Sequence, residues 1–400
     1  MSEENALGNP RVPHTLTEIL SQPRVWESTL RKLSELRETD LPRLAEYDQV
    51  LFTGCGSTYY LSVWASRHFQ QAHGVICTAV PASEVVLFPD AWVRKGAKAL
   101  LVAISRSAQT TETLKAVRVF QERGYGKTIS ITCNPEGRLA QMTEGVLATP
   151  DGQEEGVAQT RSFSSMMLAV ALLSERRVPA ELPQSLRASG ERIIDRYGSL
   201  AAEIGSQPDL TRFFFLGSGP LFGLASEAML KMKEMSLSYA EAFHFMEFRH
   251  GPMSMVDSHT LVVGLLSDQG RGQELGVLDS IRRFGARTLV ISEASDESVP
   301  GAVDYWVSIA SEVPAAWRAP LYLPVLQLLA CHRAVANGQD PDHPAHLQAV
   351  VELEPSGSSI DGRHDSWFVE GRDKTPDMRR GIDPSKPMLF KMPMSGRSEP

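Results

Sequence analysis

The chain has 400 residues, 42% of them hydrophobic and 22% charged, with a formal net charge of −8. That length favours two domains over one, and that charge argues against nucleic acid or an anionic membrane surface as the main partner. Cys55, Cys77, Cys133 and Cys331 stand far apart, with neither metal-ligand spacing nor a disulfide framework, so a reducing, cytoplasmic setting fits best and no metal site is expected. The polar N-terminus lacks the apolar core of a signal peptide. No apolar run reaches about 18 residues, so no membrane span is expected either.

In chain order, residues 15–37 predict a first helix, in which Thr15 and Glu18 have the spacing of a capping box and Leu16, Ile19 and Leu20 supply apolar positions. QVLFTG (49–54) reads as a buried strand, TGCGST (53–58) as its glycine-rich exit, and the stretch from Tyr59 to Ala72 as a helix. VICTAV (75–80), ALLVAIS (99–105) and TISITC (128–133) predict further buried strands with helices between them. Such alternation implies a mostly parallel sheet covered on both faces. Residues 160–205 read as largely helical and as a bridge, because the pattern then restarts. FFFLGSGPLFG (213–223) repeats the first strand and glycine turn, HTLVVGLLSDQ (259–269) repeats ALLVAISRSAQ (99–109), and RTLVIS (287–292) repeats KTISITC (127–133). The expected fold is α/β, with two tandem three-layer αβα domains, each around a mostly parallel central sheet. A helical segment (1–38) precedes a first domain with its bridging helices (39–205) and a second domain (206–354). Residues 355–400, rich in Gly, Pro, Ser and charge without a periodic apolar face, read as a disordered tail.

Gly54-Cys55-Gly56, after a strand and before a helix, invites a dinucleotide-binding reading. That motif needs a small residue three positions after its second glycine. Tyr59 stands there in the first copy and Phe222 in the second, after Gly217 and Gly219, so the reading fails twice and no cofactor is expected. Tight βα turns also use glycine for backbone reasons alone. The first copy carries more chemistry. Ser57 and Thr58 begin a helix, and the strand ending in SRSAQT places Ser105, Arg106, Ser107 and Thr110 ahead of another (110–123). Both loops fall at the carboxyl ends of neighbouring parallel strands, where hydroxyls, an arginine and helix N-termini together make a phosphate cradle. One such loop alone would be explained by N-capping. The matching second-half loop reads SDQGRG, whose Asp268 would repel phosphate, so one phosphate site, in the first half, is expected.

Glu227, Lys231 and Glu234 fall at i, i+4 and i+7 and share one helix face. A solvated Glu–Lys–Glu ladder has the same spacing. Here, however, the helix leaves a strand-end loop and leads into AEAFHFMEFRHGPMSMVD (240–257), where His244, Glu247, Arg249 and His250 precede a Gly-Pro turn.

SRSAQT, GVAQTRSF (156–163), EAMLKMKEM (227–235) and EFRHGPMSMVD (247–257) together resemble the double-SIS (sugar isomerase) family, in particular the isomerase half of glucosamine-6-phosphate synthase and its relatives. TEILSQPRVW (17–26) and the FRHGP form of the histidine motif are most similar to the subgroup of tagatose-6-phosphate ketose/aldose isomerases and galactosamine-6-phosphate deaminases. The resemblance covers residues 15–354. It implies that Thr58, Ser105, Arg106, Ser107 and Thr110 are phosphate ligands, with Ser57 adjacent, and that Gln159 lines the sugar. It implies that Glu234 moves a proton between C1 and C2, that Glu227 and Lys231 hold the open-chain hydroxyls, and that His250 opens the ring, reaching in from a neighbouring subunit of a homodimer. Two departures are visible. The chain starts Met1-Ser2 without a nucleophilic cysteine, so a glutaminase is not expected, and Ala349 stands where the synthase carries a Schiff-base lysine. The expected activity is cofactor-free isomerisation and deamination of glucosamine-6-phosphate or galactosamine-6-phosphate to a ketose phosphate and ammonia. Tagatose-6-phosphate-type ketose/aldose isomerisation without deamination, a sugar-amine phosphate deglycase and a non-catalytic sugar-phosphate sensor are the alternatives.

Overall fold

The computed structural model describes residues 13–293, 299, 301 and 303–348, all within one unit of the chain, 1–353. The segment 355–400 read as a disordered tail, and Ala349, lie outside the described residues. The apolar runs become strands and the amphipathic stretches between them helices. The first half comprises α1 (His14–Leu33), β1 (Gln49–Gly54), α2 (Ser57–His73), β2 (Ile76–Pro81), α3 (Ala82–Leu87), α4 (Pro89–Trp92), β3 (Ala99–Ile104), α5 (Thr111–Glu122), β4 (Gly126–Thr132), α6 (Arg138–Met142) and β5 (Gly145–Ala148). Two long helices follow, α7 (Arg161–Glu175) and α8 (Leu182–Gly205). The second half comprises β6 (Arg212–Gly217), α9 (Leu221–Ser236), β7 (Tyr239–Phe243), α10 (Phe245–Phe248), β8 (Thr260–Leu265), α11 (Arg271–Arg282), β9 (Arg287–Ser292), β10 (Tyr305–Ser308) and α12 (Leu323–Ala336).

Among the described residues each half holds a five-stranded sheet, β2-β1-β3-β4-β5 and β7-β6-β8-β9-β10, and every pairing in them is parallel. The order is the same in both, as a duplicated unit requires. In each, the order reverses direction beside the first strand of its half, so the loops after β1 and β3, and those after β6 and β8, open side by side. The strands at the centre of the sheets are the fully buried ones, for every residue of β1, β3 and β8 is buried, whereas β2, predicted as a buried strand, lies at an edge with only Val80 buried. The edge strands β5 and β10 are only four residues long and β7 is interrupted by Glu241, so none carries the longer apolar run that predicts a strand.

Alternation along the strands divides the core. Val50, Phe52, Leu100 and Val102 face a large cluster that also takes in Phe213, Phe215, Leu261 and Val263 of the second half. Leu51, Leu101 and Ala103 face a separate cluster with Val85 and Val117 of α3 and α5, and Phe214, Leu216 and Val262 a third with Phe245 and Leu278 of α10 and α11. The shared cluster includes α7, buried continuously from Ser162 to Ser174, together with residues of α1, α8 and α12. The two sheets are thus joined by one apolar interior.

One local expectation is corrected. Thr15 and Glu18 do not form a capping box, because the first-turn amides of α1 are taken by a residue far away in sequence. His14 N and Thr15 N each donate to a carboxylate oxygen of Asp342 at 2.8 Å, and the Thr15 hydroxyl donates to Pro341 O at 3.0 Å. Glu18 instead accepts from the backbone amides of Glu155 (2.6 Å) and Gly156 (3.3 Å).

Candidate active site

The first glycine turn is shaped by close approach. Gly56 sits at φ 56°, in the left-handed region, and a Cβ on Gly54 would lie 2.4 Å from Thr58 Oγ1. The Thr58 hydroxyl accepts from Cys55 N and donates to Cys55 O, both at 2.9 Å, so this side chain, expected on the phosphate, also closes the turn. Burial pushes the Cys55 thiol up to about 11, so it stays protonated beneath the turn. Ser57 opens α2 with its hydroxyl directed at the other half of the chain.

That direction is set by helix packing. Gly223 lets α9 approach α2 closely, for a Cβ there would fall 2.5 Å from Trp64 N. On the face of α9 turned toward α2, Glu227 and Lys231 are fully buried and Glu234 nearly so. Lys231 Nζ donates to Ser57 Oγ at 3.0 Å, ion-pairs with Glu234, and lies 3.2 Å from Glu227 Oε1. Apart from that 3.2 Å ion pair, neither Glu227 oxygen has a hydrogen-bond partner among the described residues. Burial pushes the Glu227 carboxyl up to about 8, against the pull of Lys231 and with the charge of Glu234 adding to the rise. Burial works against the ammonium of Lys231 as well, but Glu227 and Glu234 outweigh it and hold it above its ordinary range. At neutral pH the favoured arrangement has Lys231 charged against Glu234 and Glu227 carrying its proton. Such a cluster can hold and move protons, and a buried carboxyl with unused hydrogen-bonding capacity is open to a polar ligand.

Beside it, the loop after β3 presents hydroxyls ahead of α5. Ser105 Oγ and Thr110 Oγ1 are 3.4 Å apart, and Ser107 Oγ accepts from Gln109 N at 3.1 Å. Ala108 takes φ 57°, and Asn134 Nδ2 donates to Ser107 O at 3.1 Å. Arg106, expected on the phosphate, turns into the protein. Its Nη1 donates to Gly156 O at 2.9 Å and to Val157 O at 3.3 Å, and lies 3.4 Å from Glu154 Oε1. Gln159 sits in the loop this arginine holds, and its Oε1 is buried without a hydrogen-bond partner among the described residues.

His250 is exposed; its backbone amide donates to Glu247 O at 2.9 Å, just before Gly251 at φ 130°. Glu247 and Arg249 are exposed too, whereas His244 stacks on Phe222 with ring centroids 3.9 Å apart. Burial lowers His244 below the usual imidazole range.

The second-half loop is built differently. Ser105 N bonds Ile131 O and Leu266 N bonds Ile291 O, which places Leu266 opposite Ser105, and hence Asp268 opposite Ser107. The remaining hydroxyl is spent internally: Ser267 N and Oγ both donate to the buried carboxylate of Glu274, at 2.8 and 2.9 Å. Asp268 itself pairs with Arg318 at 3.1 Å. The chain's own carboxylate therefore occupies the loop amide and hydroxyl that an anion would use. Sequence reasoning passed over Glu274 and Glu154 and read Glu18 only as part of a helix cap; each is an ordinary glutamate in sequence, marked only by what it meets after folding.

The SIS domain family matches residues 43–176 and 209–336. The isomerizing glutamine–fructose-6-phosphate aminotransferase of Methanothermobacter thermautotrophicus is 28% identical over 344 residues, covering 85% of this chain and 57% of that protein. Its counterpart in Pseudomonas syringae pv. tomato is 30% identical over 371 residues, covering 85% and 58%. The chain thus spans under two thirds of the length of these relatives. Glucosamine-6-phosphate deaminase from Thermotoga maritima superposes with a TM-score of 0.69 at 27% identity, over 85% of this chain and 100% of that one. Tagatose-6-phosphate ketose/aldose isomerase from Escherichia coli gives 0.76 at 24% identity, over 88% and 99%, a likeness of fold.

Proposed function

The chain belongs to the SIS domain family, and we propose that it converts an amino sugar phosphate, glucosamine-6-phosphate or galactosamine-6-phosphate, to a ketose phosphate and ammonia without a cofactor. The observation that carries this reading is the 3.0 Å bond from Lys231 to Ser57, which sets the acid–base cluster of one half against the hydroxyl-lined loops of the other. The relatives' names, an isomerizing fructose-6-phosphate aminotransferase and a glucosamine-6-phosphate deaminase, support an amino or keto sugar phosphate as substrate.

In this reading Ser105, Ser107 and Thr110, with the amides that open α2 and α5, hold the phosphate. That anchor supplies binding energy to orient the reacting carbons. His250, exposed on its own subunit, serves the ring-opening step in the site of a second copy, so the working form is a homodimer. Glu227, carrying its proton, and Lys231 hold the open-chain hydroxyls. Glu234 takes the proton from C2 and returns it to C1, turning the aldose amine into a C2 imine. Water adds to the imine carbon and ammonia leaves, giving the ketose phosphate. With a plain aldose phosphate the same proton transfer ends at isomerisation.

The test is ammonia release from purified protein with glucosamine-6-phosphate, galactosamine-6-phosphate and their N-acetyl forms. Release from a free amino sugar with an equal amount of ketose phosphate is the expected result, and Glu234→Gln should abolish it while sparing substrate binding. Aldose–ketose conversion without ammonia would replace deamination by plain isomerisation. Neither activity, with sugar phosphate still bound, would favour a sensor.

A further inference from the structure

We infer that Arg106 is a positioning residue that ties the phosphate loop to residues 154–160 and so sets Gln159 against the sugar. The inference rests on the sugar-phosphate reading proposed above and departs from the expectation that Arg106 itself binds phosphate.

Arg106 lies in the middle of the phosphate loop, between Ser105 and Ser107, but its guanidinium points the other way and is almost wholly buried. It meets Gly156 O, Val157 O and Glu154 Oε1. Its own carbonyl accepts from Thr132 Oγ1 at 3.2 Å, which fixes it to the end of β4. Glu154 is equally engaged from its side. Its carboxylate accepts from Thr160 N at 3.0 Å, Thr160 Oγ1 at 2.8 Å, Arg161 N at 3.1 Å and the Ser162 hydroxyl, so the segment folds around its own carboxylate as α7 begins. Glu18 of α1 takes the amides of Glu155 and Gly156. Gly156 also packs closely on α1, where a Cβ would lie 2.8 Å from Glu18 Oε2 and 3.1 Å from Thr15 Oγ1.

Gln159 therefore sits between two clamps, Val157 held by Arg106 and Thr160 held by Glu154. Its Oε1, by contrast, is buried with no partner among the described residues. A group held in place with unused hydrogen-bonding capacity is what a sugar-facing amide requires. Turning Arg106 onto a phosphate would leave the Glu154 carboxylate buried without its countercharge and two carbonyls without their donor. Filling the phosphate loop and contacting the sugar are thus linked through one side chain.

The experiment uses Arg106→Gln, Arg106→Lys, Glu154→Gln, the double variant Arg106→Gln/Glu154→Gln, and Gln159→Ala. The double variant and Arg106→Lys keep the test alive if removing one member of the buried pair unfolds the chain. Affinities for inorganic phosphate and for glucosamine-6-phosphate are measured by calorimetry. Arg106→Gln and Glu154→Gln should each weaken the sugar phosphate by about tenfold, the value of one well-placed hydrogen bond, while inorganic phosphate changes little. In the Gln159→Ala background neither should cost more, since residues acting through one another are not additive. Losses for both ligands in Arg106→Gln but not in Glu154→Gln would make Arg106 a phosphate ligand and overturn the inference. Additive losses would overturn it as well. Amide hydrogen exchange over residues 154–160, without ligand, separates this inference from the proposed function. Faster exchange in the Arg106 variants is expected, and unchanged exchange refutes the tie whether or not any sugar phosphate binds.

Discussion

Glu227→Gln should change how stability depends on pH. In the folded chain this carboxyl titrates at about 8 against an ordinary 4.5, because it is fully buried. Between those values the folded protein keeps a proton that the unfolded chain has released, so its stability falls as pH rises. The contribution is complete below about pH 4.5 and is lost as pH passes through about 8. One proton sets a limiting slope of about 1.4 kcal/mol per pH unit. Glutamine keeps the shape and has no proton to lose. From about pH 5 to pH 8, the unfolding free energy of the wild type should therefore drop by roughly 3–4 kcal/mol relative to the variant. Glu18 and Glu293, whose carboxyls burial also raises, are common to both proteins and cancel in the difference. Urea unfolding at three pH values across that range, at constant ionic strength, measures it, with equal m-values required for the comparison. Parallel pH profiles for the two proteins would refute the assignment of a protonated Glu227 at neutral pH.

Gly54→Ala puts a Cβ 2.4 Å from Thr58 Oγ1 and 2.8 Å from Thr58 backbone carbon, and should cost about 1–3 kcal/mol by overpacking, with weaker binding of inorganic phosphate. A variant as stable as wild type with unchanged phosphate affinity would contradict the turn geometry. Asp342→Ala removes the acceptor of both first-turn amides of α1 and should lower stability by about 1–2 kcal/mol, read from chemical denaturation; Asp342→Asn should recover part of the loss. Glu234→Gln and His250→Ala subunits, each inactive alone, should recover roughly a quarter of wild-type activity after mixing and reassociation, if each site draws its histidine from the other copy of a symmetric dimer. No recovery in mixtures that do exchange subunits would place both groups within one chain.

The central strands and the repeat were readable from the sequence because a strand buried on both faces is written as an unbroken apolar run, as in ALLVAI and TLVVGL. The face shared by Glu227, Lys231 and Glu234 was readable too, because helical spacing is a local property. Whether that face was a solvated ladder or a buried cluster depended on Gly223 admitting α9 against α2, and on Ser57 arriving from 174 residues away to accept from Lys231. The same holds for two side chains whose partners are remote in sequence. Thr15 and Glu18 have the spacing of a capping box, yet Asp342 takes the amides; Arg106 stands among serines in the loop, yet its guanidinium is turned to Glu154. Sequence periodicity records which face a residue presents, and it marked the central strands, the duplication and the common face of Glu227, Lys231 and Glu234. The partner of a buried polar or charged group is whichever complementary group folding brings within about 3 Å, and only the tertiary structure decides that.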